Sequence, residues 1–317
     1  MKSIFKTIVL LVLLSWQPVV AQEGAHESSL LWKITGNGLQ QPSYLYGTIH
    51  FIPLTDFFVS NSVVQAFMSS KILATENAAF MRYIPRQVWR EKSQQKFLPG
   101  DQTAAAYLSE ADFAELTTYM RKGLRIKNPS YSAYLRLKPN YLAGALLGRL
   151  HPQSTGYEIV LWHMAQQRNN RKQYMLFEGL EEPKQTFAAF DSLQRLYQVE
   201  NLMRGVRSGF AEYHDLVQMY RNQDVEAMYN ASVKNGKLYQ LLVLARNEAW
   251  LGKLRKLIHS QPTFVAVGAA HLGGPQGLLQ LLAGQGYTVQ PVYDLSINEY
   301  WTYRLFAEGF KPQFKTQ

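Results

Sequence analysis

The chain of 317 residues contains no cysteine. This absence excludes disulfide bonds, a thiolate nucleophile, iron–sulfur clusters and cysteine-based zinc sites. Any bound metal must therefore be held by His, Asp or Glu side chains. Aromatic residues, in contrast, make up 13% of the chain and hydrophobic residues 47%, which excludes disorder as the main state and predicts a folded core.

Acidic residues are the scarcer charged type, since 23 Asp plus Glu stand against 33 Lys plus Arg and give a formal net charge of +10. The basic residues are scattered along the sequence, so we expect no nucleic-acid partner. We interpret the excess as favouring solubility or attraction to an acidic envelope surface.

Long hydrophobic runs are also missing. The run Ile8–Trp16 follows two lysines and is too short to span a bilayer comfortably. The small residues Val19 and Ala21 stand at positions −3 and −1 of a cleavage site. The pattern predicts a signal peptide over residues 1–21 and one exported domain over residues 22–317, periplasmic or extracellular, with no integral membrane span after cleavage.

Short apolar or aromatic runs, flanked by polar or turn residues, predict four buried strands. They are Ser43–His50, Lys71–Glu76, Gln173–Glu178 and Thr263–His271. A fifth strand, Tyr287–Tyr293, is expected at a sheet edge because it contains Pro291. Helical patterns separate the strands, Leu238–Ile258 most clearly. We therefore predict an α/β fold: a split mixed or parallel sheet flanked by helices, with a helical insertion at roughly 80–170.

Each of the four buried strands ends in a side chain that can bind a metal or a proton, namely His50, Glu76, Glu178 and His271. Because ligands bind outside the carboxyl ends of the strands in open α/β sheets, these residues can converge on one crevice. Both histidines close a G-x-x-H pattern, in which the glycine permits close approach of a backbone or ligand.

Arg246 borders the apolar stripe of the clearest helix. An arginine in this position must find a partner or extend to solvent. A salt bridge at the helix edge and a role in the site are both open at this point.

Several segments together resemble the TraB/GumN family, which groups with Tiki-type proteases and more remotely with erythromycin esterase-like and ChaN-like proteins. The first G-x-x-H block is Leu30–His50, and the second lies in Phe264–Val292. Phe177–Glu182 is similar to the family's L-E-T-x-E-E segment, and Ala245–Trp250 is similar to its R-N-x-x-W segment. The resemblance covers nearly the whole predicted mature chain in the right order.

The resemblance implies a metal-dependent protease site. It makes His50 and His271 candidate metal ligands, and it makes Glu76 a third ligand or a general base. Glu178, Arg246 and Asn247 match further family positions and become candidate catalytic residues. The chain departs from the family at Gly156-Tyr157-Glu158, where many members have G-x-D.

Two imidazoles and a carboxylate suit a divalent Mn, Co or Zn ion with open positions for water and substrate. Glu178 or Glu76 could then accept a proton, and Arg246 could stabilise a developing oxyanion. The leading hypothesis is therefore a metal-dependent hydrolase acting on a peptide or protein substrate. Two alternatives stay open: a protein that binds haem or metal without turnover, and a non-catalytic envelope interaction protein.

Overall fold

The computed structural model describes residues 28–76, 94–167, 171–178, 191–234, 236 and 243–304. The predicted signal peptide, residues 1–21, lies outside the described residues. The strands of the described part are β1 (Leu31–Gly36), β2 (Ser43–Thr48), β3 (Ile52–Pro53), β4 (Ile72–Thr75), β5 (Ser154–Thr155), β6 (Gln173–Leu176), β7 (Thr263–Gly268) and β8 (Tyr287–Pro291).

Helices separate most of these strands. In chain order they are α1 (Asn61–Ser69), α2 (Glu110–Thr118), α3 (Ser130–Leu135), α4 (Pro139–Leu150), α5 (Tyr157–Gln166), α6 (Asp191–Ser208), α7 (Ala211–Arg221), α8 (Val225–Val233), α9 (Ala245–Ser260) and α10 (Leu278–Gly284). Short 3-10 or π turns lie at Ala104–Ala106, Tyr119–Gly123, Ala269–His271 and Tyr300–Arg304. Within the described ranges, no helix combines the length and apolar character needed to cross a membrane.

Six strands form one mixed sheet in the order β6-β4-β7-β2-β1-β8. The first four are mutually parallel, β1 is antiparallel to β2, and β8 is antiparallel to β1. The predicted α/β class is therefore confirmed. The expected edge position of the last strand is confirmed too, whereas β1 was not predicted as a strand.

The central strands are continuously buried, as expected of parallel strands covered on both faces. Every residue of β4 is buried, and in β7 only Gly268 is partly exposed. The main hydrophobic core joins these strands to apolar residues of the flanking helices, including Phe67 of α1, Leu161 of α5 and Leu254 of α9.

A second hydrophobic cluster lies among the helices. It contains Leu116 of α2, Leu142 and Leu146 of α4, and Leu202 and Met203 of α6. The helical layer thus combines residues from before and after β6. The predicted insertion at roughly 80–170 includes residues outside the described ranges, and its boundaries stay a prediction.

The pairing of β2 with β7 joins distant parts of the chain. The two strands run parallel in a register that sets Thr48 opposite Gly268. His50 follows β2, and His271 closes the 3-10 turn after β7. The sheet therefore brings the two G-x-x-H patterns side by side.

Candidate active site at the carboxyl ends of the parallel strands

The structure places the four predicted strand-end residues along one edge of the sheet. The strand order sets them in the sequence Glu178, Glu76, His271 and His50 across that edge. Arg246 and Asn247 approach the same edge from the first turn of α9. All six predicted site residues therefore belong to one connected group.

Arg246 links the two carboxylates of the group. Its Nη2 donates to Glu76 Oε2 at 2.7 Å, and its Nε donates to Glu178 Oε1 at 2.5 Å. Its third nitrogen, Nη1, lies 3.4 Å from His271 Nε2. The guanidinium also lies over the Trp250 ring, 4.5 Å from its centroid, in a cation–π arrangement. These contacts fix both its position and its orientation.

Glu76 is a buried carboxylate, with 5% of its side chain exposed. Its Oε1 accepts the backbone N–H of Gly268 at 2.6 Å. Burial opposes its ionisation, but His271, Arg246, His50 and the Gly268 N–H outweigh burial and lower its pKa to about 2. Glu76 is therefore an anion at neutral pH.

His271 is held by the amide of Asn247. The Nδ2 of Asn247 donates to the carbonyl oxygens of His271 and Gln276, at 3.2 and 3.0 Å. Its Oδ1 must then accept from His271 Nδ1–H, at 2.7 Å, which leaves the lone pair on Nε2. Burial, assisted by Arg246 and His50 and opposed by Glu76, lowers the pKa of His271 to about 4, so the ring is neutral at pH 7.

The Trp250 ring packs on His271 at a centroid distance of 4.6 Å. Trp250 is buried and also stacks with Phe177, at a distance of 5.4 Å between ring centroids. The ring therefore supports both His271 and Arg246 from within the core. Sequence reasoning did not assign it a role, although it lies one helical turn after Arg246.

His50 is held by Glu158, which lies in the first turn of α5. The His50 Nδ1 lies 2.8 Å from Glu158 Oε1, and that oxygen also accepts the Thr48 hydroxyl at 2.6 Å. The His50 side chain is 51% exposed, whereas Glu158 is 5% exposed. The Glu158 carboxylate raises the pKa of His50 and burial opposes this, while the solvent around the exposed ring screens the attraction.

The contact to Glu158 was not foreseen, because the family departure at this position left its role open. The available signal was the spacing Gly156-x-Glu158 itself. A Cβ on Gly156 would lie 2.4 Å from the His50 carbonyl oxygen, so only glycine lets the segment before α5 approach the His50 backbone this closely. Thr48 was likewise missed.

The glycines of both G-x-x-H patterns lie where other parts of the chain come close: a backbone atom at Gly47 and side chains of the site at Gly268. A Cβ on Gly47 would lie 3.1 Å from the Cα of Ala269. A Cβ on Gly268 would lie 3.2 Å from Glu76 Oε1 and 3.8 Å from His50 Nε2, and 3.7 Å from the Cδ2 of His271. The absence of a side chain on Gly268 thus leaves a space bordered by all three predicted metal ligands, which we call the Gly268 cradle.

The donor set of the cradle fits a divalent metal. His271 Nε2 and Glu76 Oε1 are 3.6 Å apart, which two ligands of one ion allow when each bond is about 2.0–2.2 Å. Both imidazoles are held through Nδ1 by an oxygen, the usual orientation of metal-binding histidines. Among the described residues, no three His, Asp or Glu side chains already lie close enough to hold one ion. Binding would therefore require an adjustment, and the half-exposed His50 has the most room for one.

The fold and the site define an α/β protein with two histidines and three carboxylates at the carboxyl edge of a mixed sheet. The family model for TraB/PrgY/gumN proteins matches residues 30–291 of the chain. The protein therefore belongs to the TraB/PrgY/gumN family. No curated protein and no solved structure matches the chain.

Proposed function

We propose that the protein is a divalent-metal-dependent hydrolase, with peptide bonds as its substrate class. The observation that carries the proposal is the Gly268 cradle, where Glu76 Oε1 and His50 Nε2 border one small space together with the ring of His271. His50, Glu76 and His271 would hold the ion. A bound Mn, Co or Zn ion would supply an acidified water and a polarised carbonyl group.

Arg246 contributes a fixed positive charge beside the cradle. Two of its nitrogens are bound by Glu76 and Glu178, so the guanidinium cannot rotate freely. A cation that is already oriented can stabilise negative charge on a reacting oxygen without reorganising during the reaction. Asn247 acts through His271, whose Nε2 lone pair it maintains, and is a positioning residue.

Glu178 is the carboxylate we assign to proton transfer. Its side chain is 27% exposed, whereas Glu76 and Glu158 are each 5% exposed. Solvent and substrate can therefore reach Glu178 more easily than the other two. Its Oε1 is bound by Arg246, which leaves Oε2 as the atom that would take a proton from the attacking water.

We place this activity outside the cytoplasm. The support is the amino-terminal pattern of two lysines, the apolar run Ile8–Trp16 and the small residues Val19 and Ala21. Sequencing the amino terminus of the secreted or periplasmic protein would test this, with Gln22 expected as the first residue.

The proposal is tested by metal analysis of the purified protein together with cleavage of a peptide library. We expect a stoichiometric divalent ion after reconstitution, and we expect its loss in His50→Ala and in His271→Ala. His259→Ala is the matched control. His259 precedes β7, whereas the site lies after the end of that strand, and the His259 ring contacts the Tyr287 hydroxyl instead.

The control should keep both metal and cleavage. A protein that binds no ion after reconstitution would refute the metal site. Bound metal without cleavage of any peptide would instead favour the alternative of binding without turnover. A Soret band on haem titration, with no peptide cleavage, would favour the haem-binding form of that alternative.

A further inference from the structure

Glu158 is a buried carboxylate whose ion-pair partner is a half-exposed histidine. Its Oε1 receives the Thr48 hydroxyl and faces His50 Nδ1. Its Oε2 is buried and has no hydrogen-bond partner among the described residues. Burying a carboxylate is unfavourable unless it is well paired, so this arrangement calls for an explanation other than stability.

The chain holds Glu158 against His50 through its backbone. β5 pairs with β3, which sets Thr155 opposite Ile52. The Tyr157 N–H donates to the Ile49 carbonyl at 3.4 Å, and Gly156 permits the contact with the His50 backbone. Glu158 then lies in the first turn of α5, where the helix dipole favours a negative charge. Backbone contacts to Ile49, before His50, and to Ile52, after it, thus fix the position of this carboxylate.

The geometry assigns a tautomer to the ring. An ionised carboxylate can only accept, so the neutral His50 ring must donate from Nδ1 and carry its lone pair on Nε2. Nε2 is the atom that borders the Gly268 cradle. His271 reaches the same tautomer through the neutral amide of Asn247. One histidine is thus held by a charge and the other by a neutral group.

We propose that Glu158 is a positioning residue that fixes His50 with its Nε2 lone pair towards the Gly268 cradle and strengthens that nitrogen as a metal ligand. Glu158 touches neither metal nor substrate and acts through His50. A negative acceptor on Nδ1 makes the opposite nitrogen a better electron donor than a neutral amide does. The metal part of this inference rests on the proposed function, whereas the tautomer part does not.

The experiment uses the full chain labelled with 15N-histidine, in wild type and in Glu158→Gln, Glu158→Asp and Glu115→Gln. The His50 signals are assigned with His50→Gln, and spectra are recorded with the ring neutral, where the two nitrogen shifts report the tautomer. Zn²⁺ affinity is measured by calorimetry on the same samples. The control residue Glu115 pairs with Arg207 on the surface, away from the site.

We expect Glu158→Gln to give a mixture of His50 tautomers and to weaken Zn²⁺ binding by about 10–100-fold. Glu158→Asp keeps the negative charge and should restore part of the single His50 tautomer and part of the Zn²⁺ affinity. Glu115→Gln should change neither, and the His271 signals should stay constant throughout, which also shows that each variant is folded.

An unchanged His50 tautomer in a folded Glu158→Gln protein overturns the inference. So does a changed tautomer with unchanged Zn²⁺ affinity, because the carboxylate would then have no effect on the ligand. If the wild type binds no metal, the proposed function fails, and the tautomer comparison still decides whether Glu158 positions His50.

Discussion

Replacing Arg246 by methionine should destabilise the protein, because it leaves the buried carboxylate of Glu76 without its cation. The shift of the Glu76 pKa from 4.5 to about 2 corresponds to about 3 kcal/mol at roughly 1.36 kcal/mol per unit. Arg246 provides only part of this stabilisation of the Glu76 carboxylate, because His271, His50 and the Gly268 N–H also lower its pKa. Breaking a buried pair by removing one partner typically costs about 3–5 kcal/mol, and we expect a loss at the lower end of that range.

The pH dependence gives this prediction its sign. A carboxylate whose pKa is lowered on folding stabilises the folded state above its unfolded pKa, and this contribution is lost as the pH falls through its folded pKa. The wild type should therefore lose the Glu76 contribution between about pH 4.5 and pH 2. The difference between wild type and Arg246→Met should be largest at pH 7 and should shrink through this window.

Urea unfolding followed by tryptophan fluorescence, at pH 7 and at steps down to pH 3, measures both effects. Arg207→Met is the matched control, because Arg207 also contacts two carboxylates, Asp112 and Glu115, but is 53% exposed. Exposed pairs contribute at most about 1 kcal/mol, so the control should lose little. Equal losses in the two variants, or a difference that does not change with pH, would refute the reasoning.

Two further predictions concern the stability of the protein, one at Lys172 and one at Gly156 beside His50. Burial lowers the pKa of Lys172 to about 8, and its Nζ donates to the Ser70 carbonyl. Lys172→Met should therefore be more stable than wild type at pH 7 in urea unfolding. This gain in stability should decline as the pH rises from about 8 to 10.5, because the wild-type lysine loses its charge over this range. A gain that grows with pH would contradict the prediction. Gly156→Ala should unfold at lower temperature and weaken metal binding, since its Cβ would lie 2.4 Å from the His50 carbonyl oxygen. The control Gly148→Ala lies in open space on a helix and should gain about 0.5–1 kcal/mol of stability. Similar thermal shifts in both variants would argue against a steric role for Gly156.

The sequence predicts the buried strands β2, β4 and β7 well because they are short apolar runs between turn residues. The prediction that Gln173–Glu178 forms a buried strand is wrong, because β6 lies at the edge of the sheet and none of its residues is buried. β4 and β7 are buried along their length, and the apolar pattern follows that burial directly. The first strand, Leu31–Gly36, is harder to recognise, because its sequence LWKITG mixes polar and apolar residues and its burial alternates irregularly. It is the pairing with β2 and β8 that determines this strand.

The predicted site residues share a simple property: they lie within three residues of the end of a parallel strand or begin a helix that packs beside the strands. Topology alone then places His50, Glu76, Glu178 and His271 at one edge. Glu158 follows a two-residue strand outside the main sheet, so the same reasoning does not reach it. Its place depends on the contact between Gly156 and the His50 backbone, which no local pattern encodes.

The site also depends on contacts between distant parts of the sequence. The β2–β7 pairing joins residues 43–48 to residues 263–268, and Arg246 contacts Glu76 across 170 positions of sequence. Closing such long loops costs conformational entropy, which the packed sheet and the site contacts must offset in the folded state. A substitution that weakens the β2–β7 pairing should therefore disperse the cradle even when it lies outside the site. Loss of metal or activity in any variant is evidence for a chemical role only when its unfolding free energy matches that of the wild type.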